Sequence, residues 1–429
     1  MVDDQALVVR PQGDAPLEEP KPREQALKLA LGEITEVTVE KMVAGGEGLA
    51  RHQGVPLFVP RSAPGDRARV RLVERHGDYG RAEIVELLSP GPGRRLPPCP
   101  YFDQCGGCDL QHLDDALQTK LKAAAVLETV VRMGKVDIPT NLKVVTGAAW
   151  GYRQRTQLHT GPAETPEGLP VVGYFARGSR ELVAVTTCPI LVPELERLLP
   201  GLPELLAAGG GAPPHRLDLA AGDGDAVSSA PAAGGLPTGE IGLQVGAYRY
   251  GFDARTFFQG HRGLLGELVA AALGPADWTG ELAVDLYAGV GLFSLPLAER
   301  YDRVLAVEGD RIATRYARAN ARQRRKGSRI EVIDQAVESW IRELPDGVDR
   351  VLADPPRTGL KGPVVRALLE KRPPRLTYVS CHPATFARDL RALGQAYRLV
   401  ALTLVDLFPQ TGHMELVAQL ERVDEVDLD

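Results

Sequence analysis

Leu282-Ala-Val-Asp-Leu286, running into Tyr287-Ala-Gly289-Val-Gly291, decides the fold. A short apolar run reads as a strand buried on both faces, and the glycines after it read as a tight turn that opens a helix. The rhythm then repeats toward the C-terminus. Leu305-Ala-Val307 ends in Glu308, Glu331-Val-Ile333 ends in Asp334, and Arg350-Val-Leu-Ala353 ends in Asp354-Pro-Pro-Arg357. Strands alternating with helical stretches predict a parallel, doubly wound α/β sheet, whose ligands sit outside the carboxyl ends of the strands. Each acid taken singly reads as well as a helix N-cap. Taken in series, at the ends of successive strands, they read as the lining of one crevice. Glu308, about twenty residues past a glycine turn, is placed as doubly wound folds place the acid that holds ribose hydroxyls.

The next strand-like run, Thr377-Tyr-Val-Ser380, ends in Cys381-His-Pro383 and puts a thiol at the same edge. A lone cysteine is more often a small buried apolar residue than a nucleophile. The other four cysteines form a separate pattern. Cys99, Cys105 and Cys108 are spaced C-x5-C-x2-C, with Cys188 far downstream, and Gly106-Gly107 lets the backbone aim two thiols at one centre. Four thiolates suit tetrahedral zinc or an iron–sulfur cluster, and spacing alone does not choose. Proline after Cys99 and Cys188 favours a 4Fe–4S cluster, and the spacing is not the C-x3-C-x2-C of radical S-adenosylmethionine enzymes.

The preceding chain is different in kind. Residues 1–30 carry Pro, Glu and Asp with little apolar periodicity and read as a solvated tail. Over 31–93, short alternating runs (Ile34 to Val39, Val55 to Val59, Ala68 to Val73, Ala82 to Leu87) are separated by glycine-rich turns and predict a small β-barrel. Between Arg51 and Arg95 nine arginines face five acids, a local surplus fitted to RNA, or to the solvent face of strands. Residues 94–255 read as a β-rich central region holding the cysteines, with a helix near 114–134 packed on a neighbour. Residues 256–429 read as the catalytic domain. Arg311, Arg315, Arg318, Arg322 and Arg325 recur at helical spacing, a solvated face or an RNA-binding one.

Composition bounds the rest. A chain of 429 residues, 44% hydrophobic and 25% charged, is a multidomain globular protein. Its net charge of −6 argues against a protein that coats nucleic acid unspecifically and leaves room for a local basic face. No apolar run approaches the ~20 residues of a membrane span, and Met1-Val-Asp-Asp4 has no signal-peptide pattern. A cytoplasmic monomer with no membrane partner is the expectation.

These motifs together resemble the RNA uridine C5-methyltransferases, in the subgroup with an N-terminal TRAM domain and an iron–sulfur cluster. The resemblance covers roughly residues 33–420. It is carried by the cysteine pattern, Phe257-Phe-Gln259, Asp285-Leu-Tyr-Ala-Gly-Val-Gly291, Asp354-Pro-Pro-Arg-Thr-Gly359, Ser380-Cys-His-Pro383 and His413-Met-Glu415. It implies a Rossmann-like class I methyltransferase domain, S-adenosylmethionine and a 4Fe–4S cluster on Cys99, Cys105, Cys108 and Cys188. It implies Cys381 as nucleophile and Glu415 as general base, with Gln259, Tyr287, Gly289, Glu308, Asp334 and Asp354 lining the cofactor and uracil pocket. The RNA implied is 23S ribosomal RNA, with transfer RNA as the alternative. Three positions depart from the pattern, where asparagine is usual: His261, Leu292 and His382. An exocyclic-amine methyltransferase is disfavoured, because no aromatic follows the Asp354 motif and such an enzyme has no use for Cys381. A noncatalytic RNA-binding protein would fail to bind the cofactor.

Overall fold

The computed structural model describes residue 27 and residues 29–162, 168–209, 212–324 and 326–423. Most of the expected 1–30 tail, and Arg325, lie outside the described residues. The described end of that tail is not solvated. Leu27 and Leu29 are buried in the first core, in one cluster with Val37, Leu57 and Leu72.

The chain divides into two compact units. The first comprises residues up to Phe102 with Cys108–Glu128 and Pro409–His413. Its strands are β1 (Ile34–Thr38), β2 (Lys41–Met42), β3 (Gly48–His52), β4 (Val55–Val59), β5 (Arg67–Arg75) and β6 (Gly80–Ser89), in the sheet order β1-β5-β6-β4-β3-β2. Alternation builds this core. In β5, Ala68, Val70 and Leu72 point inward while the arginines between them point to solvent. Arg67 pairs with Glu36, Arg69 with Glu86 and Arg81 with Glu47, so much of the basic surplus is neutralised across strands. The segment at Gln410 is sewn into this unit. Its carbonyl accepts from Asp109 and Leu110 N–H, and its side chain bonds Gln118 and Asp115.

Helix α1 (Asp115–Gly134) follows, and then β7 (Leu142–Val145). The second unit holds a five-stranded sheet of β8 (Arg155–Gly161), β9 (Val171–Phe175), β10 (Leu182–Ala184), β11 (Arg216–Ala221) and β12 (Val227–Ala230), ordered β10-β9-β8-β11-β12. Short helices α2 (Pro193–Glu196) and α3 (Leu202–Ala208) lie between β10 and β11. A hairpin, β13 (Ile241–Val245) and β14 (Tyr248–Phe252), leads into α4 (Leu265–Leu273).

The rest is β15 (Gly280–Leu286), α5 (Ser294–Leu297), β16 (Tyr301–Glu308), α6 (Arg311–Asn320), β17 (Arg329–Asp334), α7 (Val337–Trp340), β18 (Arg350–Ala353), α8 (Gly362–Lys371), β19 (Arg375–Ser380), α9 (Pro383–Leu393), β20 (Tyr397–Val405) and β21 (Glu415–Arg422). The eight-stranded sheet runs β17-β16-β15-β18-β19-β21-β20-β7. β15 to β19 are parallel, and β21 is antiparallel to both β19 and β20.

The 256 boundary drawn from sequence differs from the packing. β7, from the expected central region, pairs in parallel with β20 and extends the catalytic sheet. The hairpin residues Ile241, Leu243, Tyr250 and Phe252 share one core with Phe293 and Tyr301. Gln154 Nε2 donates to the Gln259 carbonyl at 2.7 Å, and Tyr152 stacks on His261. The central region from Thr129 onward and most of the catalytic region therefore form one unit. Among the described residues no helix is long and apolar enough to cross a membrane.

Candidate functional site: a carboxylate and thiol edge on the parallel sheet

Strand order reverses on either side of β15, which opens a crevice where β15 and β18 part. Leu286 and Ala353 are register partners, so Tyr287 and Asp354 leave the sheet side by side. Glu308 and Asp334 are register partners at the ends of β16 and β17. Ser380 closes β19 and delivers Cys381. The antiparallel β21 starts where its parallel neighbours end. Ser380 pairs with Leu416, and Glu415 thereby enters from the same edge as Cys381. Cys381, Glu415, Asp354 and Gln259 are brought together. Tyr287, Gly289, Glu308 and Asp334 line the neighbouring half of the edge.

The glycine loop is held from that half. Glu308 Oε2 accepts the Gly289 N–H at 2.9 Å and Oε1 accepts the Asp310 N–H at 2.7 Å. Gly289 has φ of +56°, and a Cβ there would meet nothing within 4 Å. This open face beside a carboxylate fits a nucleoside ribose, and S-adenosylmethionine carries no phosphate for the loop to wrap. Tyr287 also sits at positive φ, +62°, and its phenol donates to Glu338 Oε1 at 3.2 Å. Asp285, fully buried on β15, accepts from the Ser294 hydroxyl. Burial pushes its carboxyl up to about 7, with Asp354 and Glu308 adding to the effect and Ser294 opposing it.

The other half is a cluster of groups whose charged forms oppose one another. Burial pushes Asp354 up to about 7, against the Gln259 amide that donates to Oδ2 at 3.0 Å. Burial, then the charge of Asp354, raises Glu415 well above the carboxylate range, and Arg357 pulls it back. Burial and then Glu415 push the Cys381 thiol up to about 12, with Arg357 again opposing. A proton-accepting carboxylate, a thiol and a carboxamide-bound acid in one crevice can add a sulfur nucleophile to a planar ring and remove a proton from it.

Sequence reasoning passed over the residues that hold this half in place. Asp389 on α9 accepts from the Leu360 N–H at 2.8 Å and the Tyr378 hydroxyl at 2.7 Å. Arg388 donates to the Thr358 carbonyl, and the Thr385 hydroxyl to the Arg357 carbonyl. None had a linear signal, because each grips a loop nearly thirty residues upstream. The three departures from the pattern find structural explanations. His382 is the N-cap of α9, its Nδ1 accepting from the Thr385 N–H at 3.3 Å, which is the task an asparagine performs there. Burial, with Arg357 and Arg388, lowers its pKa and keeps that nitrogen an acceptor. His261 is fully buried and donates from Nε2 to the Ala148 carbonyl. Leu292 joins the apolar core under the glycine loop.

Cys99, Cys105, Cys108 and Cys188 make a separate set in the sequence. Among the described residues no group of three or more His, Cys, Asp and Glu side chains is arranged to hold a metal. None of the four is in a disulfide. Cys99 and Cys108 fall in the first unit, Cys105 and Cys188 in the second. In the second unit both flank β9. The Cys105 backbone bridges to Ala176, its sulfur accepts the Gly107 N–H at 3.4 Å, and the Tyr174 phenol bonds the Cys188 side chain.

Two family models match the chain. Residues 242–423 match the family model described as tRNA (Uracil-5-)-methyltransferase, and residues 28–85 match the TRAM domain. The chain is 35% identical to the 23S rRNA (uracil(1939)-C(5))-methyltransferase RlmD of Cronobacter sakazakii, over 91% of this chain and 96% of that one. It is 34% identical to the protein of the same name from Salmonella typhi, over 91% and 97%. The solved Pyrococcus abyssi tRNA (uracil-54, C5)-methyltransferase, in complex with S-adenosyl-L-homocysteine, superposes with a TM-score of 0.66 at 24% identity, covering 90% of this chain and all of that one, a likeness of fold. By the identity and coverage it shares with these relatives, the chain belongs to the RNA uracil-C5-methyltransferases, enzymes that move a methyl group from S-adenosylmethionine to carbon 5 of a uracil in RNA.

Proposed function

We propose that the target is a uridine of 23S ribosomal RNA, with Cys381 as nucleophile and Glu415 as general base. The observation that carries the roles is the antiparallel entry of β21 beside β19, which brings a carboxylate and a thiol to one crevice. Bound S-adenosylmethionine supplies a methyl group made electrophilic by positive sulfur. Glu308 and Asp334 bind its ribose edge, and Tyr287 and Gly289 shape the loop beside it. The Cys381 thiolate bonds carbon 6 of the uracil, and the displaced π pair moves through carbon 5 into an enolate at oxygen 4. That pair then bonds carbon 5 to the methyl as the methyl's bond to the cofactor sulfur breaks, its electrons staying on a neutral thioether that leaves. The Glu415 carboxylate takes the proton left on carbon 5, and the freed C–H pair restores the 5,6 double bond as the sulfur leaves. Asp354, oriented by Gln259, faces the ring. The base must be splayed out of its stack to reach this edge.

The central region is proposed to hold a 4Fe–4S cluster on Cys99, Cys105, Cys108 and Cys188. The donor chemistry supports it: four thiols outside disulfides, with backbone and phenol donors on two sulfurs. Its role is structural, and the protein is placed in the cytoplasm as a monomer. The ribosomal target rests on relatives that share more than nine-tenths of their length with this chain. The family model's description names transfer RNA, which is the second reading. Mapping 5-methyluridine in ribosomal and transfer RNA, with and without the protein, tests the choice. One ribosomal site lost without the protein is expected, and a change confined to transfer RNA would overturn the ribosomal reading.

A further inference from the structure

The connection between β20 and β21 is built for more than turning the chain. β20 ends at Val405 and β21 begins at Glu415, and these two residues are register partners. Antiparallel strands can be joined by about two to five residues. Here Phe408 and Met414 belong to the second unit, whereas Pro409–His413 between them belong to the first. The catalytic chain is thus completed through the first unit and resumes at Met414, the residue before Glu415.

Gln410 anchors this segment. It is fully buried and sits at φ of +68°, a conformation that a residue other than glycine keeps only where its surroundings fix it. Its carbonyl accepts from the N–H groups of Asp109 at 2.9 Å and Leu110 at 3.0 Å, and its own N–H donates to Gln118 Oε1 at 3.0 Å. Its side-chain nitrogen donates to Asp115 Oδ1 at 2.8 Å, and its side-chain oxygen accepts from Gln118 Nε2 at 2.9 Å. Two residues on, the Gly412 N–H donates to Asp109 Oδ2 at 3.2 Å, and a Cβ on Gly412 would lie 2.2 Å from the Gly45 carbonyl. Each of these partners belongs to the first unit.

We propose that Gln410 and Gly412 are positioning residues for the proton step: by fixing the chain that enters β21, the first unit sets the place from which Glu415 takes the carbon 5 proton. This rests on the role assigned above to Glu415. In that step the carboxylate accepts the proton, the C–H pair becomes the second bond between carbons 5 and 6, and the sulfur leaves with the pair of the S–C6 bond. Sulfur addition and methyl transfer come earlier and do not use Glu415. A displaced Glu415 therefore leaves them running and stalls the enzyme as a methylated covalent adduct.

The test follows the full-length protein through a single turnover with S-adenosylmethionine, on unmodified 23S ribosomal and transfer RNA transcripts, so that the choice of target does not enter. The covalent protein–RNA adduct on a denaturing gel and the released 5-methyluridine product are read separately. Glu415→Gln is the reference and accumulates adduct. Gln410→Gly suits the positive φ and removes the side-chain bonds, and Gly412→Ala forces the segment off Gly45. Both are expected to form adduct at close to the wild-type rate and to release product about tenfold more slowly, within the roughly hundredfold that a misplacement of about 1 Å can cost. Asp115→Asn, on α1 and far from β21 in the chain, gives a smaller slowing of the same step. Unaltered S-adenosylmethionine affinity reports an intact fold, and Asp115→Asn carries the test if the other two do not fold. Product release at the wild-type rate in the folded variants, or equal slowing of adduct formation and release, would overturn the proposal and leave Glu415 its role. Absence of adduct with Glu415→Gln would overturn that role, and the proposal with it.

Discussion

The two halves of the catalytic edge treat their carboxylates in opposite ways. At β16, both oxygens of Glu308 are met by backbone N–H groups, from Gly289 and Asp310. At β18 and β21, Asp354 is half-buried and Glu415 buried, close to a thiol and to each other, and their charged forms are disfavoured. The difference separates binding from chemistry. A group that grips a ligand is best presented with its oxygens already oriented, and a group that must exchange a proton works best near its switching point.

The largest effect expected from breaking this contrast is on the chemical half. Glu415→Gln keeps the size and hydrogen bonding of the side chain and removes the proton acceptor. Turnover should fall at least a hundredfold, while a covalent enzyme–RNA adduct accumulates on a denaturing gel. Equal loss of adduct and product would remove Glu415 from the proton step.

On the binding half, Glu308→Ala removes a carboxylate that the glycine loop leans on. Charge-assisted hydrogen bonds are worth about 1.5–3 kcal/mol, so the cofactor Kd should rise about 10- to 100-fold with the rate at saturating cofactor little changed. Isothermal titration with S-adenosylmethionine measures it. A large loss of saturated rate with unchanged Kd would move Glu308 across to the chemical half.

Asp285 sharpens the same comparison through stability. Its folded pKa, about 7, lies above the carboxylate's usual value. Between about pH 4 and 7 the unfolded chain therefore loses a proton that the folded chain keeps, so stability falls as pH rises across that window and is level above it. Asp285→Asn should flatten this slope, by on the order of 1–3 kcal/mol between pH 5 and 8. Denaturant unfolding at the two pH values checks it, and an unchanged slope would mean Asp285 is ionised when folded.

How much of this was legible follows from the same geometry. The acids at strand ends were readable because a parallel strand announces its end locally, with an apolar run and then a polar turn. Glu415 came through the family resemblance, since nothing local says that β21 runs backward. The contribution of β7 to the sheet was not readable. Its four residues pair with β20 some 260 positions later, and an edge pairing that distant leaves no local pattern. The clamp on the Arg357 loop was silent for a similar reason, because Asp389 reads as an ordinary helix acid until the loop folds onto it. His382 shows the converse: a departure from the family pattern that serves as a helix cap.

The smallest expected effect concerns charge away from the edge. Arg311, Arg315, Arg318 and Arg322 are exposed on one side of α6 and the turn after it, with Arg315 reaching Asp253 at 4.0 Å and Arg318 the Val332 carbonyl at 3.4 Å. Charge reversal at Arg318 and Arg322 should leave RNA affinity and its salt dependence within measurement error. A lower salt slope, by about 0.7–0.9 for each phosphate no longer neutralised, would make this face part of the RNA interface.

The most direct test of the central claim is adduct formation with RNA in which the target uridine is replaced by 5-fluorouridine. Fluorine on carbon 5 cannot leave as a proton, so a thiolate-addition enzyme stalls with its sulfur bonded to carbon 6. The account predicts a denaturation-resistant, S-adenosylmethionine-dependent complex whose RNA maps to Cys381 by peptide mass, and none with Cys381→Ala, which still binds the cofactor. Product formation by the Cys381→Ala protein, or an adduct on another residue, would contradict it.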